Sequence, residues 1–100
     1  MITVKIKYQN KLIKEVSILG HADYAKYGQD IVCSAVSTMV TTTINDILCL
    51  DNNSITYKSK EGNVLITNND NEIANKLLNV MLNSLKELAK DYPKNIEIGG

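Results

Sequence analysis

One hundred residues hold one hydrophobic core, and the chain reads as a single domain over 1–100. Eleven basic residues, none of them arginine, balance eleven acids, and five tyrosines are the only aromatics. A neutral, arginine-free chain with few stacking rings argues against general nucleic-acid binding. No opening segment reads as a signal peptide and no stretch is expected to cross a membrane, so a cytoplasmic address with reduced thiols is expected.

Ile2, Val4, Ile6 and Tyr8 alternate with Thr3, Lys5 and Lys7, the period of a half-buried strand. Gln9-Asn10-Lys11 supplies a hairpin turn. A second strand follows from Leu12 to about Gly20, with Val16 and Ile18 on one face and a less regular polar face. Residues 22 to 29 carry no periodicity and read as a loop. Asp30 is placed as the N-cap of a helix whose stripe is Val32, Val36, Met39, Val40, Ile44, Ile47 and Leu48.

Asp51-Asn52-Asn53 ends that helix. Ile55–Tyr57 and Val64–Thr67 then form a hairpin around Lys60-Glu61-Gly62-Asn63. A second helix is expected near Asn69 or Asp70, where Asn69 and Glu72 have capping-box spacing. Its expected stripe is Ile73, Leu77, Val80, Met81, Leu85 and Leu88, and Pro93 closes it. Ile96 and Ile98 suggest a short last strand. The order ββαββαβ predicts a two-layer α+β domain, its sheet predominantly antiparallel and both helices on one face.

The chemistry concentrates between the second strand and the first helix. His21 is the only histidine, and Cys33 would be the third residue of a helix capped by Asp30. Unpaired amides and the positive helix end there favour a thiolate and could hold an oxyanion. His21 could pair with that thiolate and protonate a leaving amine. On spacing alone a second reading stands beside this one. Cys33 lies about 60° from the stripe centre at 3.6 residues per turn, as a small core residue would. His21 would then be a strand-end histidine bonded to backbone.

The neighbours divide in the same way. Asp30 either orients His21 or caps the helix, and Ser37, one turn after Cys33, either bonds near the site or bonds its own helix. Tyr24, Tyr27 and Gly28 are candidates for a substrate loop or for ordinary loop structure. Cys49 lies about 24 Å along the helix from Cys33, beyond disulfide reach. With two cysteines and one histidine at no ligand spacing, no metal and no cofactor is expected.

The residues Gly20-His21-Ala22 and Gly28-Gln29-Asp30-Ile31-Val32-Cys33-Ser34-Ala35-Val36-Ser37 resemble the two-part motif of the ribosomal-processing cysteine protease family Prp (YsxB-like). The opening Met1-Ile2-Thr3-Val4, the chain length and the Asn/Asp-rich entry to the second helix fit as well. Ser34 departs from the alanine frequent at that position. The resemblance implies a catalytic dyad of His21 and Cys33, with Asp30 and Ser37 at motif positions. It implies removal of a short N-terminal extension from the precursor of large-subunit ribosomal protein twenty-seven, with cleavage after an aromatic residue, by a homodimer. The competing class is a non-catalytic, ribosome-associated module that docks a peptide on its sheet.

Overall fold

The computed structural model describes residues 1–20 and 27–99, with the side chains of residues 27–30 excepted. The alternating opening segment is β1 (Ile2–Gln9), which turns back into β2 (Leu12–Leu19). Asn10 and Lys11 both take positive φ, 54° and 68°, the two-residue turn whose twist suits a hairpin. A bulge between Lys7 and Tyr8 shifts the register, so that Lys7 faces Glu15 but Tyr8 faces Ile13. That extra residue is why the polar face of β2 looks irregular. Across it, Ile13 and Val16, three apart, both turn inward at 1% and 0% exposure.

After α1 (Tyr27–Leu50), β3 (Ile55–Lys60) and β4 (Asn63–Asn68) pair around Glu61 and Gly62, whose φ values are 52° and 84°. α2 (Glu72–Asp91) and β5 (Ile96–Gly99) complete the chain in the expected order. The five strands lie in the order β3-β4-β2-β1-β5, antiparallel except for β1 beside β5. Registers align the apolar positions into rows. Ile98, Val4, Ile18, Val64 and Ser59 form one row, and Ile6, Val16, Ile66 and Tyr57 form the next. Buried residues of both helices join these rows in one core, the two-layer α+β arrangement the sequence predicts.

Three expectations need correction. α1 starts at Tyr27, so Asp30 stands in its first turn and not at its cap, and residues 27–29 of the expected loop are helical. An acid is favoured at either position by the helix dipole, and no proline separates them. The cap of α2 is Asn71, whose side chain accepts from the Ala74 amide at 2.8 Å; Asn69 instead donates to the Asn53 carbonyl at 2.9 Å. The buried face of α2 is Ala74, Leu78, Met81, Leu82 and Leu85, while Ile73 and Val80 are 56% and 61% exposed.

α2 carries apolar residues around much of its circumference, so periodicity alone admits two rotations. Polar contacts select one of them. Asn75 accepts from the Ile13 amide at 2.8 Å, and the buried Asn68 side chain donates to the carbonyls of Ile13 and Asn71 while accepting from the Asn71 amide. These bonds tie the start of α2 to β2 and β4.

Among the described residues one helical segment, Ile31–Leu50, is long and apolar enough to cross a membrane by length and mean hydropathy, against the expectation that none is. Its stripe of Val32, Val36, Val40, Ile44 and Ile47 is packed into the core of this domain.

Candidate active site

The rotation of α1 decides where the thiol lies. Val32 and Val36 turn inward, and Cys33 between them is half-buried, packed against the core cluster, and free. One side of Cys33 therefore meets an apolar wall and the other an open cleft of ≈ 220 Å³. Cys33, Ser37 and Thr41 line the cleft from α1; Gly20, Ser59 and Gly62 line it from the end of β2 and the β3–β4 hairpin. Ser37 thus shares the cleft with Cys33, as helical spacing predicts. Cys49, free and exposed near the other end of α1, is not among the residues lining it.

Gly20 is fixed by three separate constraints. Its φ of 91° lies where an L side chain is strained, and a Cβ there would run into the carbonyl oxygen of Met1. Its amide donates to Asn63 Oδ1 at 3.0 Å, which joins the end of β2 to the hairpin opposite Cys33. The next residue in the chain is His21. His21 and Tyr24 lie outside the described residues, and Tyr27, Gly28 and Asp30 are placed only by the backbone of α1. The pairing of His21 with Cys33 therefore falls outside the described residues as well.

The earlier helix start changes the expected electrostatics. Cys33 is the seventh residue of α1, not the third. The free amides of a helix belong to its first four residues, here Tyr27 to Asp30, about 5–9 Å of rise before Cys33. The dipole acts mainly within that first turn. Cys33 thus stands in the second turn, where its own amide is committed to the helix. Among the described residues no group of three or more His, Cys, Asp or Glu side chains could hold a metal ion.

Sequence reasoning missed Thr41, Ser59 and Gly62 as parts of the cleft, and Asn63 as the residue that ties Gly20 to the hairpin. The Glu61-Gly62 pair signals a tight turn and so fixes the hairpin's length. Nothing local in the sequence says that the turn meets Gly20 and faces α1.

Residues 1–97 match the family described as cysteine protease Prp. The ribosomal processing cysteine protease Prp of Staphylococcus aureus (strain Mu50 / ATCC 700699) is 35% identical over 105 residues, covering 98% of this chain and 97% of that protein. A crystal structure of the essential S. aureus protease with a substrate peptide superposes with a TM-score of 0.90 at 31% identity, covering 99% of this chain and 98% of that one. The same enzyme with a covalently linked product peptide gives 0.87 at 32% identity and the same coverage. A Streptococcus mutans structure, 24% identical with a TM-score of 0.80 over 98% of this chain and 91% of that one, shares the fold. A family match over nearly the whole chain, on a fold that opens a cleft beside Cys33, assigns this protein to the Prp family of cysteine proteases.

Proposed function

We propose that this protease removes the short N-terminal extension of the precursor of large-subunit ribosomal protein twenty-seven, cutting after an aromatic residue through a dyad of Cys33 and His21. The observation that carries this reading is the cleft itself: the half-buried thiol of Cys33 and Gly20, the residue before His21, line the same space. The ribosomal-processing role of the S. aureus relative and its complexes with substrate and linked product peptide support the reading.

In this mechanism the Cys33 thiolate adds to the scissile carbonyl carbon. The tetrahedral species collapses as the C–N bond breaks, and His21 gives its proton to the departing amine. A thioester remains on Cys33. His21, now neutral, takes a proton from water as the water oxygen attacks the thioester carbon. The C–S bond breaks, releasing the carboxylic product and restoring the thiolate–imidazolium pair. No cofactor enters any step. Ser37 and Asp30 act as supporting groups at helical spacing from Cys33, and Tyr24, Tyr27 and Gly28 belong to the segment that meets substrate. The enzyme works in the cytoplasm as a homodimer, without membrane or direct nucleic-acid contact.

The deciding experiment incubates purified protein with the source organism's own precursor and maps the cut by mass. Cys33→Ala and His21→Ala should each abolish cleavage while the circular dichroism spectrum and melting temperature are kept. Complete processing by the Cys33→Ala protein would sink the proposal. Sedimentation over a range of concentrations tests the homodimer, and a purely monomeric species at working concentration removes it.

A further inference from the structure

The cleft beside Cys33 does not end at Thr41. A second hollow of ≈ 120 Å³ continues it along α1, lined by Thr41, Ile44 and Asn45 on one side and by Tyr57, Ser59 and Val64 on the other. Thr41, Ser59 and Val64 border both hollows. The result is a trough with a helix for one wall and β3 for the other.

β3 is the last strand of the sheet, and among the described residues no strand pairs with its outer side. Which backbone groups face outward follows from the hairpin. Lys60 and Asn63 flank a two-residue turn and form the hydrogen-bonded pair next to it. Bonding alternates along an antiparallel pair, so Lys58 and Thr56 also bond to β4. Ser59 and Tyr57 thus direct their amides and carbonyls away from β4. Their side chains lie on the face that α1 covers, at the ends of the rows containing Val64 and Ile66. One pair of residues offers both main-chain partners to an added strand and a floor for its side chains.

Dimensions match an extended peptide. From Cys33 to Asn45, α1 rises about 18 Å at 1.5 Å per residue. An extended chain covers that distance with about five residues at roughly 3.3 Å each. The seven residues lining the second hollow carry no charge, and Val40, Ile44 and Val64 give it an apolar base.

We propose that the substrate peptide runs from Cys33 as an added strand on the outer edge of β3, and that Tyr57, with Ile44 and Asn45, selects an uncharged side chain about four or five residues from the scissile bond. This rests on the protease reading above. Tyr57 is a specificity residue, since it touches substrate far from the reacting atoms. At 50% exposure it can be changed without opening the core.

The test uses a fluorescent peptide from the organism's own precursor, spanning the cut amply on both sides, and Cys33→Ala protein as a trap. Tyr57→Ala in that background should weaken binding by about tenfold, and Tyr57→Phe should restore it. Methylating successive peptide nitrogens should cost affinity at every second residue along the four or five that lie on β3. Unchanged affinity with Tyr57→Ala, or losses without that alternation, overturns the inference. So does a change in the sedimentation of free protein with peptide binding untouched, which would make the edge a contact between copies. A peptide that wild-type protein cuts, but whose binding ignores Tyr57, overturns the trough and leaves the protease reading. A peptide held through Tyr57 yet left uncut overturns the substrate and leaves the trough. No binding at millimolar peptide overturns both.

Discussion

The Gly20 amide donates to the side chain of Asn63 across 43 positions of sequence. Through that bond the residue preceding His21 is held against the hairpin that forms the far wall of the Cys33 cleft. Replacing Asn63 by Ala leaves the strands intact and removes about 0.5–1.5 kcal/mol of stability. Cleavage should fall further than this loss of folded protein explains, which parallel melting curves and initial rates will measure.

Gly20→Ala acts at the same place with more force. The backbone there is left-handed and the added methyl meets the Met1 carbonyl. A cost of about 1–3 kcal/mol is expected from such strain. Urea unfolding should register it, together with loss of cleavage at temperatures where the variant is still folded.

The two thiols provide an internal control. Cys49 is exposed and Cys33 only partly so, so access alone makes Cys49 the faster target for iodoacetamide. An activated nucleophile reverses that order. Alkylation at pH 6, followed residue by residue by mass spectrometry, should modify Cys33 first. Equal slow rates, or Cys49 first, would favour a peptide-docking module over the catalytic dyad.

Asn68 separates stability from catalysis. Its side chain is fully buried and holds three backbone groups of β2 and the α2 entry. Asn68→Ala should cost about 2–4 kcal/mol by orphaning those groups. The folded fraction should still cut substrate at the normal rate per active site, as titration with an alkylating inhibitor will show.

The rotation of α2 is tested by a pair of truncations. Leu78→Ala should cost about 2–5 kcal/mol because its side chain is fully buried, whereas Val80→Ala should stay within about 0.5 kcal/mol. Equal effects in denaturant titrations would contradict the packing of this helix.

Patterns of one or two residue types carried most of the fold into view. Alternation in β1 and the Val32–Ile47 stripe translate directly into buried rows, because each has one solution that hides its apolar side. The rotation of α2 had two such solutions, and long-range bonds from Asn68 and Asn75 chose between them. No local pattern reports a bond to Ile13, more than fifty positions away. The start of α1 was misplaced because an aspartate serves equally as cap and as first-turn residue. The motif points to Cys33, and the structure sets that residue beside a cleft; the hairpin wall opposite it depends on tertiary placement.

Cys33 stands between Val32 and Val36, two of the residues that close the hydrophobic core. In the proposed mechanism the nucleophile is anchored in that way, so that what holds the domain together also aims the sulfur. On that reading inhibitors and substrates adapt to a fixed thiol, and selectivity is sought along the cleft walls around it. Heat inactivation should accordingly coincide with melting of the whole domain, with no earlier phase in which structure persists but the thiol has lost its aim.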